Sequence, residues 1–178
     1  SDPDALGWPV FAKPSGGSAS RGLQVFQAIE ELPGRFEEPM VFQQFLRGPE
    51  YTINMFVDSG GSLRTVVPHL RIQIRAGEVE KGRTVRREDF RQIAEGVHRA
   101  LPSLTGVACF QVIDDPELGP RVIEINARFG GGYPLADHAG ARFAQWLLEE
   151  VSGLPCSAND DWRENVKMLR YDSAIYDG

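Results

Sequence analysis

The chain has 178 residues, of which 42% are hydrophobic and 25% are charged, a balance typical of a globular protein with a sizeable core. Its 19 basic and 25 acidic residues give a formal net charge of −6, which argues against nucleic-acid binding because phosphate backbones require clustered positive charge. The two cysteines have no metal-ligand or redox spacing, and the sequence shows neither a signal peptide nor a membrane-spanning run, which predicts a cytoplasmic protein that contacts no membrane.

The first part of the sequence predicts a small region built on a hairpin. Trp8–Pro14 has the composition of a strand with Lys13 near its end, and the small residues of Ser15–Gly22 predict a loop. Backbone N–H groups of a glycine-rich loop can surround phosphate oxygens since glycine has no Cβ, but an exposed flexible turn explains the glycines equally well. The elements expected next are a strand over Leu23–Phe26, a short helix over Gln27–Leu32 and a strand over Met40–Leu46.

The larger remainder predicts a sheet with two long helices. Helical spacing of apolar residues marks one helix from Arg87 to Leu101 and a second from about Ala139 to Val151. The pattern predicts an α+β fold of antiparallel sheet backed by helices, with a break near Gly48 that separates a small lobe, residues 1–47, from a larger lobe, residues 48–178. Strands are expected at Glu50–Asp58, Ser62–Arg75, Gly106–Ile113 and Arg121–Asn126, with an edge strand in the tail around residues 166–172.

The segment VIEINARFGGG, Val122–Gly132, carries polar residues at every second position. Because successive side chains of a strand point to opposite faces, Glu124, Asn126 and Arg128 are expected on one face. Gln111 on the preceding strand is expected beside them, so that three oxygen donors converge, and such oxygens are the ligands that Mg²⁺ prefers. The alternative is an acidic strand that faces water.

The segment FQQFLRGPE, Phe42–Glu50, is an apolar strand that runs into a turn. The backbone of such a strand can contact the edge of an adenine ring, and Glu50 can accept hydrogen bonds from ribose hydroxyls. A plain strand and turn is the alternative interpretation.

Taken in order, these segments resemble the ATP-grasp superfamily, and in particular its carbamoyl-phosphate-synthase-like and carboxylate-amine ligase branch. The resemblance covers Trp8 to about Val151 and depends on the PVFAKP strand, the glycine-rich loop, the Gly-x-Glu motif at Gly48–Glu50 and the Glu-x-Asn-x-Arg motif at Glu124–Arg128. No single motif is specific, but their order and spacing together are. The resemblance implies two lobes of antiparallel sheet, backed by helices, with the nucleotide between them.

The resemblance also implies a role for each motif residue. Mg²⁺ or Mn²⁺ would be bound by Gln111, Glu124 and Asn126, and Arg128 would steady the transferred phosphoryl group. The loop would cover the β- and γ-phosphates of ATP, and Lys13 would contact the α-phosphate. The hinge at the end of the third strand would contact adenine, and Glu50 would bind the ribose. The implied nucleotide-binding residues are Lys13, Gly16, Gly17, Ser18, Ser20, Gly22, Gln43, Gln44, Phe45, Leu46 and Glu50.

The sequence departs from the family pattern in three ways. Ala127 stands where many members have proline, and Gln111 is a neutral residue where many members have a carboxylate. The family's N-terminal domain and first strands are expected before the Lys13 strand, so we expect them in the same polypeptide or in a partner chain.

A basic run, RIQIRAGEVEKGR from Arg71 to Arg83, follows the hairpin of the larger lobe. Relatives place a basic group near the γ-phosphate or the acyl phosphate at this point, which makes Arg75 and Lys81 the candidate catalytic residues. A solvated edge strand whose charges discourage aggregation is the alternative.

The implied activity is that of an ATP-dependent carbon–nitrogen ligase, which phosphorylates a carboxylate to an acyl phosphate for attack by an amine. Phosphoryl transfer depends on positioning and charge neutralisation, which agrees with the lack of a nucleophilic triad in the sequence. The alternatives are a phosphorylation of bicarbonate or carbamate and a non-catalytic nucleotide-binding module. The expected partners are small-molecule carboxylates and amines, the missing N-terminal domain and a second copy of the chain, and the isolated chain is expected to be inactive.

Overall fold

A computed structural model describes residues 3–16 and 22–175 of the chain. The chain divides into two compact units, Ser1–Arg47 and Gly48–Gly178. Their assignment as the small and large lobes of one fold stays a prediction.

The first unit contains a three-stranded antiparallel sheet in the order β2-β1-β3. Its core is made by Val10, Ala12 and Phe26, with Phe36 and Phe42 packed against them in edge-to-face contacts. The predicted helix after β2 is reduced to one turn of 3₁₀-helix, Ile29–Glu31, because the backbone is extended at both flanking residues. The strands are β1, Val10–Pro14, β2, Gln24–Phe26, and β3, Met40–Gln44, preceded by a 3₁₀-helix at Pro3–Leu6.

The second unit is built on antiparallel strands that follow the order β8-β7-β4-β5-β6-β9 within the described residues. The α+β class predicted from the sequence is confirmed, and so is the edge strand in the tail. The elements are β4 (Glu50–Val57), β5 (Leu63–Arg75), β6 (Glu78–Thr84), α1 (Glu88–Ala100), β7 (Gly106–Asp115), β8 (Gly119–Asn126), α2 (Tyr133–Ala139), α3 (Phe143–Val151) and β9 (Lys167–Leu169).

Two elements differ from the sequence prediction. The basic run, for which an edge strand and loop was the alternative interpretation, forms a hairpin of β5 and β6, whose turn residues Ala76 and Gly77 have φ angles of 50° and 83°. Such a two-residue turn matches the twist of the strands, although alanine rarely adopts it. The helix predicted from about Ala139 begins only at Phe143, as α3, because Gly140 has a φ of 120°, and a separate short helix, α2, precedes it.

The two faces of the second sheet are covered differently. One face packs against the apolar stripe of α1, Phe90, Ala94 and Val97, and is apolar along its length. The other face is apolar where α2 and α3 cover it, with Phe56, Val67, Ala136, Phe143 and Trp146 among the cluster. The remainder of this second face carries polar side chains, and it contains the candidate site.

Gly48 fixes the start of β4 beside the end of β7. Its φ is 118°, and a Cβ atom at this position would overlap the carbonyl oxygen of Asp114. The same strand ends are joined by the hydrogen bond from Asp114 N–H to the Pro49 carbonyl, 3.0 Å. The position of Glu50 therefore depends on a residue without a side chain.

We predict that Gly48→Ala lowers the free energy of unfolding by about 3 kcal/mol, because backbone strain adds to a clash with a carbonyl that cannot move freely. Gly61→Ala is the matched control: Gly61 has a φ of 80° but no atom within 4 Å of its added Cβ, so only the strain remains, roughly 1 kcal/mol. Urea unfolding of both variants measures the difference. Equal losses would contradict the close approach at Gly48.

Candidate functional site

The candidate site occupies the polar half of the second sheet. The register places Thr52 between His69 on β5 and Gln111 on β7, and Gln111 is paired in turn with Glu124 on β8. Because paired residues of neighbouring strands lie on the same face, these side chains form a row across the sheet. We use the name polar half for the group Glu50, Thr52, Asn54, His69, Arg71, Cys109, Gln111, Glu124 and Asn126.

A β-bulge between β7 and β8 sets which residues of β8 join this row. The register shifts between Gln111 and Val112, so that Gln111 is paired with Glu124 while Val112 is paired with Val122. Strict alternation would place Val122 and Glu124 on one face, but the bulge gives Val122 to the apolar face and Glu124 to the polar half. The expected position of Gln111 beside Glu124 is observed, while the metal-binding role of both stays a prediction.

Glu124 and Asn126 are in direct contact. The Nδ2 atom of Asn126 donates to Oε1 of Glu124 at 2.7 Å, which leaves Oδ1 of Asn126 available as an acceptor. The prediction that Arg128 continues the same strand face is wrong, because β8 ends at Asn126 and the Arg128 N–H folds back to the Asn126 carbonyl at 2.9 Å. Arg128 is exposed, and its guanidinium donates to the Phe129 carbonyl at 3.0 Å.

Arg71 and Glu50 form an ion pair within the polar half. The distance from Arg71 Nη1 to Glu50 Oε1 is 3.0 Å, and the side chain of Arg71 is only 6% exposed. Burial raises the pKa of Glu50, the guanidinium of Arg71 opposes this shift, and the charge of Glu124 adds to it. Sequence reasoning missed Arg71, although its position two residues after His69 on β5 places it on the face of the polar half.

The glycine segment, Gly130–Gly132, packs closely onto the polar half. A Cβ atom at Gly130 would lie 3.1 Å from Cys109 Sγ and 3.4 Å from Asn54 Oδ1, and one at Gly132 would lie 2.5 Å from His69 Nε2. Burial raises the pKa of the Cys109 thiol, so the thiol stays protonated beneath this segment. A side chain at position 132 would therefore overlap the buried imidazole, and one at position 130 would press against the thiol.

His69 is a buried imidazole beneath the glycine segment. Its Nδ1 atom lies 3.1 Å from Asn54 Nδ2, and because the amide nitrogen is a donor, Nδ1 is the acceptor and Nε2 carries the proton. Nε2 is buried without a hydrogen-bond partner among the described residues. Burial, assisted by the charge of Arg71, lowers the pKa of His69 to about 3.

The oxygen donors of the polar half fit a magnesium nucleotide better than a bare cation. The described residues contain no group of three or more His, Cys, Asp or Glu side chains placed to hold a metal ion. The candidate ligands Gln111, Glu124 and Asn126 instead offer one carboxylate and two carboxamides, which are hard oxygen donors but carry a single formal charge. Phosphate oxygens would have to supply the remaining negative charge.

The two predicted basic residues lie elsewhere on the second unit. Arg75 is about half exposed, and its guanidinium is paired with Glu80 at 3.0 Å and with Asp172 at 2.5 Å. Lys81 is exposed on β6, where it pairs in register with Gln73 and Leu169. Of the basic residues in this run that the structure describes, Arg71 belongs to the polar half. The catalytic roles of Arg75 and Lys81 stay predictions.

The nucleotide-binding residues predicted in the first unit lie around β1 and β3. Lys13 pairs with Val41 and Gln43 with Phe11, so both lie on the face opposite to the buried Val10 and Ala12. Gln44 ends β3, Phe45 and Leu46 follow it, and the guanidinium of Arg47 lies over the Phe45 ring. Gly16 and Gly22 are exposed at the two described ends of the loop, while Gly17, Ser18 and Ser20 lie outside the described residues.

Comparison with known proteins identifies the family to which the chain belongs. A family described as ATP-grasp in the biosynthetic pathway with Ter operon matches residues 36–174, which is most of the chain. The chain belongs to this ATP-grasp family. The match spans β3 to β9 and contains the whole polar half.

Solved structures confirm the ATP-grasp fold. The biotin carboxylase of Campylobacter jejuni in its β-γ-ATP complex matches with a TM-score of 0.72 at 16% identity, over 92% of this chain and 41% of that chain. The biotin carboxylase domain of the Hydrogenobacter thermophilus 2-oxoglutarate carboxylase, with Mg-ADP and bicarbonate, matches with a TM-score of 0.70 at 16% identity, over 92% and 41%. The L-amino acid ligase of Bacillus licheniformis matches with a TM-score of 0.60 at 22% identity, over 89% and 43%.

This ATP-grasp chain spans about two fifths of the length of the structures it matches. The identities establish a shared fold, whereas substrates and partners need separate arguments. In the described part of the chain, none of the helices has the length and apolar character needed to cross a bilayer.

We predict that His69 makes the protein less stable as the pH falls below about 6.5. The unfolded chain binds a proton near that pH, whereas the folded chain, with a pKa of about 3, does not, so stability falls by about 1.4 kcal/mol per pH unit in between. In His69→Asn, which keeps a polar partner for Asn54, the loss of stability between pH 6.5 and pH 5 should be smaller by about 2 kcal/mol.

Urea unfolding at both pH values measures this difference, and His138→Asn, on an exposed imidazole, is the matched control. An identical pH dependence in wild type and His69→Asn would show that the buried ring is not kept neutral.

Proposed function

We propose that the chain is the nucleotide-binding and phosphoryl-transferring part of a Mg-ATP-dependent ligase, which phosphorylates a carboxylate to an acyl phosphate that an amine attacks. The observation that supports this most strongly is the pairing of Gln111 with Glu124 beside Asn126, on a polar sheet face, in a chain of the ATP-grasp family. Related structures were solved with ATP, Mg-ADP or bicarbonate, and one is an amino acid ligase.

In this proposal the side chains of the polar half bind and orient the triphosphate. Glu124 and Asn126 hold the cation through oxygens that their mutual hydrogen bond keeps in place, and Gln111 adds a neutral oxygen from the neighbouring strand. The bound Mg²⁺ would neutralise phosphate charge and orient the γ-phosphate. Arg128 lies nearby, with its guanidinium exposed and its charge acting on the same thiol as that of Glu124. The Arg128 guanidinium would place positive charge close to the phosphoryl group while it is transferred.

Arg71 extends the positive side of the proposed site. Its buried guanidinium pairs with Glu50 and donates to the Gly77 carbonyl at 2.7 Å, so the position of its charge is fixed. A fixed charge costs no reorganisation when phosphate charge develops, which is the basis of electrostatic catalysis. Glu50 then serves two partners, the ribose hydroxyls and Arg71. The nucleotide contacts of Lys13, Phe45 and the other residues of the first unit are proposed from the family resemblance alone.

We predict that Glu124→Gln lowers ADP release by roughly 100-fold, because it removes the one carboxylate of the cation site with little change of shape. Glu117→Gln is the matched control, since it makes the same change at the turn of the same hairpin, where the backbone N–H of Glu117 is bonded to Asp115. Because the isolated chain is expected to be inactive, the assay uses the full-length polypeptide with Mg-ATP and a panel of carboxylates and amines, and circular dichroism verifies folding.

Unchanged turnover in Glu124→Gln would show that Glu124 does not bind the metal ion. Nucleotide binding without turnover of any substrate pair would instead support a non-catalytic module. ADP release that requires bicarbonate, the anion present in one of the related structures, would favour phosphorylation of bicarbonate or carbamate.

A further inference from the structure

The guanidinium of Arg71 has one edge that is only half occupied. A guanidinium is a planar fork of donors, and its Nε and Nη2 donors point the same way along one edge. Nη1 pairs with Glu50 at 3.0 Å, and Nη2 donates to the Gly77 carbonyl at 2.7 Å. Nε is buried and has no hydrogen-bond partner among the described residues. A single backbone carbonyl therefore occupies an edge that can bind two acceptor atoms.

A second buried donor without a partner lies on the same face of β5. Four buried side-chain nitrogens lack a hydrogen-bond partner in the described part of the chain, and two of them are Arg71 Nε and His69 Nε2. Most buried donors in native proteins are satisfied, so two unsatisfied donors on one strand face indicate where a ligand completes the hydrogen bonding. Both groups donate, so the missing partner is an acceptor, and a guanidinium favours an anionic one.

The hairpin tip, Arg75–Glu78, covers the half-occupied edge and is weakly held. Its Ala76 has a φ of 50°, a conformation that costs an L-residue roughly 1 kcal/mol. The register of β5 and β6 shifts twice between Arg71 and Ile74, so the pairing is irregular before the tip. The ion pairs that Arg75 makes are about half exposed, and such pairs contribute little. A stronger acceptor can therefore displace the Gly77 carbonyl at small cost.

Arg71 lies across the sheet from the proposed cation site. It stands on β5, whereas Gln111 is on β7 and Glu124 on β8, in the strand order β8-β7-β4-β5. Strands lie about 4.8 Å apart, so the backbone of β5 is roughly 10 Å from that of β7 and roughly 14 Å from that of β8. Reacting atoms approach to about 3–3.5 Å. A phosphate on the cation and an acceptor beside it on the β5 side together span this distance, which brings the acceptor to Arg71.

The charges around Arg71 favour a singly charged anion. Its guanidinium already shares its positive charge with Glu50, and the neighbouring imidazole of His69 is neutral. Glu50 would repel a phosphate group, with its charge of about −2, more strongly than a carboxylate. The two oxygens of a carboxylate also match the spacing of Nε and Nη2, and such bidentate pairs are stronger than a bond to a neutral carbonyl.

We propose that Arg71 binds the carboxylate of the acceptor substrate through its Nε–Nη2 edge, in place of the Gly77 carbonyl. The inference rests on the proposed function and deepens it, because it assigns a binding residue to the substrate that receives the phosphoryl group. The hairpin tip moves away when that substrate binds. Each bound oxygen keeps a lone pair, so the carboxylate attacks the γ-phosphorus while ADP leaves with the electron pair of the broken P–O bond.

The test is a titration of the full-length polypeptide, loaded with Mg²⁺ and a non-hydrolysable ATP analogue, with acetate as a minimal carboxylate. Nuclear magnetic resonance follows the Nε–H signal of Arg71, which is assigned by its absence from Arg71→Lys. We expect acetate to shift this signal downfield until the site is saturated. Acetamide, the neutral counterpart, should leave the signal unchanged, because only the carboxylate forms charge-assisted hydrogen bonds.

Arg71→Lys keeps the positive charge beside Glu50 but has no Nε–Nη2 edge, so it should weaken acetate binding roughly tenfold or more, followed by the Gly77 N–H signal. Arg64→Lys is the matched control and should bind acetate like wild type. Arg64 is also on β5, where it pairs with Asp58 at 3.1 Å and donates to the Ala158 carbonyl at 3.0 Å. If Arg71→Lys does not fold, the Arg71 signal is assigned through its backbone resonances and the wild-type titration decides.

The nucleotide analogue is titrated first, so that the two proposals can fail separately. If wild type binds no magnesium nucleotide, the proposed function fails and this inference with it. If the nucleotide binds but acetate leaves the Arg71 signal unchanged, or binds Arg71→Lys as tightly as wild type, only this inference is overturned. A downfield shift caused by the nucleotide that acetate does not extend, or tighter binding of inorganic phosphate than of acetate, would overturn it too, because the edge would then serve a phosphate group.

Discussion

The antiparallel pairing of β7 with β8, with its bulge after Gln111, is the constraint on which the candidate site depends. The bulge rotates the end of β8, so that Glu124 lies opposite Gln111 and Asn126 lies opposite Cys109, while Val122 turns to the apolar face. If β8 kept the register of its Val122 end throughout, Glu124 and Asn126 would lie on the face of Val122, away from Gln111. Sheet geometry and not loop structure therefore brings the oxygen donors together.

The division of one sheet face into an apolar and a polar half explains how the second unit combines stability with function. Where α3 covers the face, Phe56 and Trp146 pack closely, with ring centroids 5.4 Å apart. Where the glycine segment covers it, the side chains are mostly polar, and two buried donors, His69 Nε2 and Arg71 Nε, have no hydrogen-bond partner among the described residues. Such unsatisfied groups are unfavourable in the ligand-free protein and are expected at a binding site, since ligand groups complete them.

Much of the fold was predictable because local patterns agreed with the tertiary structure. Helical spacing identified α1, and the alternating strand around Glu124 was recognised as polar on one face. The β5–β6 turn was missed because an Ala-Gly pair with two positive φ angles has no distinctive composition. The short helix α2 was not predicted, and α3 was predicted to begin near Ala139, although the chain becomes helical again only at Phe143 after Gly140.

The site was predictable only in part, for a related reason. Gln111, Glu124 and Asn126 follow from strand pairing, which the hairpin sequence indicates. Arg71 does not stand out from Arg75, because register decides which basic residue of the run faces the polar half, and register depends on bulges that composition does not show.

A crystal structure of the protein with a non-hydrolysable ATP analogue and Mn²⁺ in place of Mg²⁺, with the cation located by its anomalous signal, tests the proposed cation site directly. We predict a single cation within about 2.0–2.3 Å of oxygens from Glu124 and Asn126, with Gln111 in the same coordination sphere and phosphate oxygens completing it. A nucleotide bound with its cation away from β7 and β8, or these three side chains turned apart around an empty face, would contradict it.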